Sequence, residues 1–228
     1  MKSNLLKIPD QWIILALDFV TGKIKLPLSI FECGITAGIL LELAISNHIG
    51  VSLEKKITVV DQSPVEDPLL NKALDVIAKS KEPQAVLNWM IRLTMQNSQT
   101  IESFYFKQLL GVNILRKETR QVLGIFRSPH YYATPEDTQS KITVSLEKLI
   151  QQQTQKEIRS LCLLGLVANS GQAGKILGEK EASLLSINST SIFSKLESRR
   201  LPNRFIVVFG AVLEALKLSQ QSAGELSS

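Results

Sequence analysis

"LSIFECGITAGILLELAI", Leu28 to Ile45, decides how this chain is read. Eighteen mostly apolar residues with a Gly34-x-x-x-Gly38 spacing have the length of a membrane-spanning helix and the small-residue pattern of a dimerising one. Two acidic residues turn the reading around. Glu32 and Glu42 would each cost roughly 2.5–3.5 kcal/mol at a bilayer centre on insertion scales. On a 3.6-residue helix, Ser29, Glu32, Thr36, Glu42, Ser46 and Asn47 fall within a sector of about 140°, which they share with Ile35, Ile39 and Leu43. That is no surface helix with one clean polar face. Leu28 to about Asn47 is predicted to be the central helix of a soluble domain, buried on most sides.

The rest of the chain fits that reading. Its 228 residues are 44% hydrophobic and 21% charged, enough for one sizeable core. No Gly/Ser-rich or Pro-rich linker divides it. A single domain over 13–218 is expected, with an N-terminal arm at 1–12 and a frayed tail at 219–228. The apolar run near the N-terminus is interrupted by Asp10 and ended by Asp18. No small-residue cleavage pattern follows it, so no secretory signal is expected. Cys33 and Cys162 both lie in apolar helical patterns and read as buried thiols of a reducing compartment.

Around the central helix the periodicities are mainly helical. Gln11–Asp18 reads as a short helix closed by a turn at Thr21-Gly22. Ile49–Leu53 and Ile57–Val60 flank Glu54–Lys56 as a hairpin. Asp67 caps a helix with Pro68 at its first position and Leu70, Leu74 and Ile77 in one stripe. A helix from Pro83, with Val86, Leu87, Met90, Ile91 and Leu93 inward, precedes another over Ser98–Gly111. "ILRKETRQVLGIF" reads as a second hairpin turning near Lys117–Arg120. Helices return around Leu146–Ile150, at Ile158–Ala168, after Gly174 and Lys180, and from Asn203 to Leu218. The fold class is mainly α: a single-domain helical bundle around a buried central helix, with two small β-hairpins.

Catalytic and metal-binding patterns are missing from the sequence. His48, read at a helix end, and His130, read in a loop, lie at no ligand spacing from a cysteine or from each other. "VTGKI" and "GQAGKI" lack the first glycine of a P-loop and place Ile where a hydroxyl must reach magnesium. There is no nucleophile elbow and no dinucleotide fingerprint. The chain is read as a non-enzyme with no metal and no cofactor.

The net charge of +5 is unevenly spread. From Lys107 to Arg127 five cations (Lys107, Arg116, Lys117, Arg120 and Arg127) face Glu118 alone. Lys195, Arg199, Arg200 and Arg204 against Glu197 form a smaller group. A cluster holding most of the excess charge points to an anionic partner. Beside it, Ile125, Phe126, Tyr131 and Tyr132 are interface-seeking groups that supply the second signal stable membrane docking needs. The bland reading is that these aromatics pack on the domain's own helices. A winged nucleic-acid reader built from Ser98–Phe126 is disfavoured, because its helix carries Lys107 as its one basic residue, opposed by Glu102.

Five segments in order, "IILALDFVTGKI", "GITAGILLELAI", "DPLLNKALDVI", "PQAVLNWMIRL" and "LRKETRQVLGIF", resemble the Golgi phosphoprotein 3 family over roughly Ile13 to Leu218. The resemblance implies a helical bundle around a nearly buried helix. It implies a cytoplasmic protein, peripheral on a membrane's cytosolic face, which is the Golgi only in a eukaryotic source. Eukaryotic members bind phosphatidylinositol 4-phosphate and carry the cytosolic tails of glycosyltransferases to a vesicle coat. A hairpin serves membrane contact or self-association, corresponding here to about Ile114–Tyr132.

The lipid pocket of those members does not carry over. Where it needs a tryptophan and an arginine around the start of the central helix, this chain has Pro27 and Thr36. Where it needs two further arginines, this chain has Gln99 and Glu102. An arginine fork grips phosphate through parallel charge-assisted hydrogen bonds that threonine cannot make and glutamate opposes. Lys25 and Lys107 are the nearby cations available to compensate. The pattern is similar to the prokaryotic branch. The expected activity is weak, non-specific binding of anionic lipid by an adaptor-like peripheral protein through Lys25, Lys107, Arg116, Lys117, Arg120 and Arg127. The alternative is a soluble interaction protein that self-associates through the 114–132 hairpin as a homo-oligomer. Nucleic acid is not an expected partner.

Overall fold

The computed structural model describes residues 6–122, 126–151, 157–186 and 202–225; for residues 95–104, 122, 126 and 221–225 it describes the backbone alone. The chain opens with α1 (Ile8–Ala16), where Pro9 sits in the first turn and the Asp10 carboxylate accepts the Lys7 N–H at 2.9 Å. Negative charge in the first turn and a proline that donates nothing both suit a helix start. The central helix α2 (Leu28–Ile45) follows.

Thirteen of the eighteen α2 residues are buried, Glu42 and Thr36 among them. Helices α1, α3 (Pro68–Ala78), α4 (Val86–Gly111), α6 (Ile158–Asn169) and α8 (Asn203–Glu225) pack around it. The small-residue pair is explained from within the chain. A Cβ on Gly34 would overlap the Trp12 indole, and one on Gly38 would lie 3.0 Å from the Pro9 nitrogen. The groove that resembled a dimerisation face is the seat of α1, latched by Trp12 Nε1 donating to the Phe31 carbonyl at 3.0 Å.

Two antiparallel ribbons complete the fold. Strands β1 (Ile49–Val51) and β2 (Ile57–Val59) pair Ile49 with Val59, the chain reversing near Lys55 at φ +58°. Strands β3 (Leu115–Val122) and β4 (Phe126–Ala133) pair Leu115 with Ala133 and Val122 with Phe126. Asp67 caps α3, its carboxylate accepting the N–H groups of Leu69 and Leu70. Helix α5 (Thr138–Ile150), the short α7 (Ala173–Leu177) and helical residues 179–186 lie between the second ribbon and α8. The mainly α bundle with two small hairpins is the architecture expected.

Several expectations need correction. Residues 1–12 are not all an arm: Ile8 and Trp12 are fully buried in α1, which starts three residues before Gln11. Asp10, which interrupts the apolar run in sequence, caps the helix from its third position. The tail does not begin at Ser219, since α8 runs on to Glu225, with the Ser219 hydroxyl donating to Leu216 O at 2.7 Å. Residues 83–111 hold one helix rather than two, because "QNSQT" is polar yet contains neither glycine nor proline to stop it. Ile91 on that helix is exposed. Lys117–Arg120 is mid-strand, and the chain reverses between Val122 and Phe126. His130 is a buried strand residue, its Nδ1 against the Thr21 carbonyl.

Candidate membrane-contact surface

The second hairpin is fixed to the bundle on both faces. Side chains opposite one another in an antiparallel pair share a face, so Arg116, Glu118 and Arg120 lie with Tyr132, His130 and Ser128, while Lys117 lies with Tyr131. Tyr131 stacks on Phe106 of α4 with ring centroids 4.2 Å apart, and Phe106 meets Phe31 of α2 at 6.4 Å. The other face rests on the turn after α1. There the Tyr131 N–H donates to Gly22 O at 2.7 Å, and the Tyr132 ring covers Gly22 so closely that a Cβ would lie 2.7 Å from it. Gly22 also holds φ +68°, so a left-handed turn and a close approach both demand glycine.

Tyr132 is 8% exposed and has two cations beside its ring. Arg116 lies 4.5 Å and Arg120 5.9 Å from its ring centroid, and Arg120 Nη2 donates to its hydroxyl at 2.7 Å. Both guanidiniums converge on Glu118, Arg116 through a short contact and Arg120 at 3.4 Å, which holds the Glu118 carboxyl below its ordinary range. Beside this cluster, a cavity of about 340 Å³ opens between Asp18–Val20, the hairpin and the start of α5, lined among others by Arg116, Glu118, Arg120, Glu136 and Gln139. Phe19 and Val20 line it and are 78% and 64% exposed.

The anticipated site residues divide four ways. Arg116, Lys117, Arg120 and Arg127 are exposed on one ribbon, as a basic surface requires. Lys107 is exposed on α4; Lys25 is half-buried before α2, and burial pushes its ammonium down while Asp18 pulls it back up. Tyr132 is buried over Gly22 and Tyr131 is half-buried against Phe106, so both pack on the domain's own elements, as the bland reading has it. Ile125 lies outside the described residues, as do the side chains of Phe126, Gln99 and Glu102. Pro27 is the exposed residue preceding α2, and Thr36 is buried, its hydroxyl spent on the Cys33 carbonyl at 3.0 Å. Neither can grip a phosphate.

Sequence reading missed Phe19 and Val20 as the exposed apolar pair beside the basic strand. The signal was present in "DFVTGK". The Asp18 carboxylate accepts the N–H groups of Val20 and Thr21, which pulls that acid below its ordinary range and points the intervening side chains outward. A buried polar group under α1 was missed as well. Glu42 accepts from the Ile8 N–H at 2.9 Å and pairs with Arg159; Lys7 bonds Asp67 at 2.5 Å. These join residues far apart in sequence, and none of them faces the cavity. Cys162 is buried and Cys33 partly so, both as free thiols whose pKa burial raises.

The chain is a helical bundle that encloses its most apolar helix and projects a basic ribbon. Among the described residues no group of three or more His, Cys, Asp or Glu side chains is placed to hold a metal ion. The sequence model of the Golgi phosphoprotein 3 (GPP34) family matches residues 8–193, and the chain belongs to that family. No curated protein matches it.

Proposed function

We propose that this protein is a peripheral, adaptor-like membrane protein. It docks on an anionic lipid surface through the basic ribbon β3–β4 and does not select phosphatidylinositol 4-phosphate. The observation that carries the reading is the ribbon itself: Arg116, Lys117, Arg120 and Arg127 stand exposed on a hairpin that packs on the core through Tyr131 and Phe106. Family membership supports lipid binding and a cytosolic, membrane-associated location. Thr36 and Pro27, at the family's phosphoinositide positions, support the lack of selectivity. Each cation near an anionic surface contributes about 1 kcal/mol, so the ribbon alone gives weak, salt-sensitive binding.

The test is co-sedimentation at physiological salt with phosphatidylserine-containing vesicles, with phosphatidylcholine alone, and, by mobility shift, with DNA. Binding to the anionic vesicles only is expected. No binding to them would overturn the reading. A second reading, self-association through the hairpin, is favoured by β3 pairing with β4 alone among the described strands, which leaves an outer edge for another copy. Light scattering with and without vesicles separates the two.

A further inference from the structure

We infer that the cavity between Asp18–Val20 and the hairpin is a phospholipid headgroup site, with Arg116 and Arg120 as its phosphate clamp and Phe19 and Val20 as its apolar lip. The inference rests on the membrane reading above and locates the contact. Arg116 and Arg120 each reach one oxygen of the Glu118 carboxylate, and Arg116 also lies 3.7 Å from Glu136, so the two guanidiniums mark a place where one anion meets two cations. The Tyr132 hydroxyl, fixed by Arg120, lines the same space. Glu118 occupies that place as an internal competitor, and its side chain is partly exposed, so it has room to swing out.

Lipid is the occupant favoured over a free phosphate because of what borders the clamp. Phe19 and Val20 project from a turn held by hydrogen bonds to Asp18 and by the bond from Tyr131 to Gly22, and they line the same cavity. Water gains nothing from two such side chains, whereas at a bilayer they enter the acyl boundary while the arginines stay at phosphate depth. Asp18 and Glu136 also line the cavity, so the site is no general anion sink. A phosphodiester has to displace Glu118 and compete with the longer contact of Arg116 to exposed Glu136, and the lip supplies the remaining affinity.

Four proteins test this with vesicles of phosphatidylcholine containing about one part in three phosphatidylserine: wild type, Phe19→Ser/Val20→Ser, Glu118→Gln and Glu54→Gln. Glu54 pairs with Lys56 on the first hairpin, so its change frees a cation and removes one negative charge away from the cavity. The double variant is expected to bind at least tenfold more weakly than wild type, and Glu118→Gln at least threefold more tightly than Glu54→Gln. Inorganic phosphate should weaken binding of Glu118→Gln without restoring the double variant. As a direct readout, Phe19→Trp should shift its emission to the blue on vesicle addition, Trp12 and Trp89 being already buried. If wild type pellets but the double variant pellets equally, or Glu118→Gln matches Glu54→Gln, the site is overturned while the membrane reading stands. If wild type does not pellet, both fall.

Discussion

Glu42 on the central helix and Arg159 on α6 form a two-pronged ion pair, Nε to Oε1 at 2.7 Å and Nη2 to Oε2 at 2.9 Å. Glu42 is 2% exposed, so its charge is carried inside the bundle by this partner and by the Ile8 N–H. Removing one member leaves a buried charge without its counter-ion. Arg159→Leu is therefore expected to cost about 3–5 kcal/mol. Glu42→Leu/Arg159→Leu should cost less than the two single changes added together, as coupled groups do. Urea unfolding of the four proteins checks this, and strict additivity would show that the pair is not coupled.

The glycines of α2 rank by what stands over them. Gly34→Ala drives a methyl into the Trp12 ring, which is pinned by its bond to Phe31, and should cost at least the 1–3 kcal/mol typical of overpacking. Gly38→Ala meets Pro9 at 3.0–3.2 Å, a contact that a shift of a few tenths of an ångström relieves, so it should cost less. Melting temperatures in the order wild type, Gly38→Ala, Gly34→Ala are expected; the reverse order of the two variants would displace α1 from this groove.

How much of this was legible in sequence depends on the range of the interaction. The central helix, the Asp67–Pro68 start and the first ribbon follow from local periodicity and capping chemistry, and they stand where expected. The charged residues of the second ribbon suggest a reversal at Lys117–Arg120, whereas strand pairing carries them straight through. The two tyrosines look like an interface pair in sequence. Only the position of Phe106 and Gly22, from two other elements, decides that they point inward. Phe19 read as part of a turn, and whether a turn residue is covered depends on neighbours that the sequence does not bring beside it.

Asp10 gives the bundle a pH dependence of its own. Burial pushes its carboxyl up to about 6, against the Lys7 N–H and ammonium, and Asp67 and Glu42 push the same way as burial. A raised acid stabilises the fold fully below its ordinary pKa and loses that contribution as pH rises through the folded value. The window is thus about pH 4 to 6, and the loss is about 3 kcal/mol. Asp67 runs the other way. Burial raises it, but the bond from Lys7 and the Leu70 N–H outweigh burial, so its contribution is lost only as pH falls below the ordinary range. Asp10→Asn keeps an oxygen for the Lys7 N–H and should flatten the unfolding free energy between pH 4 and 6. An unchanged slope there would place the titration elsewhere.

The basic ribbon can be tested without disturbing Tyr132. Arg116 and Arg120 pack on that ring, so reversing their charge also removes packing, whereas Lys117 and Arg127 do not stack on Tyr132. Lys117→Glu/Arg127→Glu is expected to lower affinity for anionic vesicles by at least about 2 kcal/mol, on the order of 30-fold, with the melting temperature little changed. Retained binding at physiological salt would make the ribbon an ordinary solvated face.

Phosphoinositide selectivity is where the family and these residues part. A reader of the 4-phosphate must fix where a phosphate sits on the inositol ring, which takes planar donors held in register. At the corresponding positions around α2 this chain offers a proline with no donor and a threonine whose hydroxyl is already bonded within its own helix. Of the remaining candidate cations, Arg116 and Arg120 on the hairpin converge on a carboxylate beside Tyr132 rather than on the α2 terminus. Their attraction counts charge and phosphate, not ring position. Vesicles carrying phosphatidylinositol 4-phosphate are therefore expected to bind within about threefold of phosphatidylserine vesicles matched in surface charge. Both affinities should fall together between about 50 and 200 mM salt as screening shortens. The measurement is that matched comparison across the salt series. A tenfold preference for the 4-phosphate, about 1.4 kcal/mol, would require a second set of donors, with half-buried Lys25 and exposed Lys107 the first to replace by methionine.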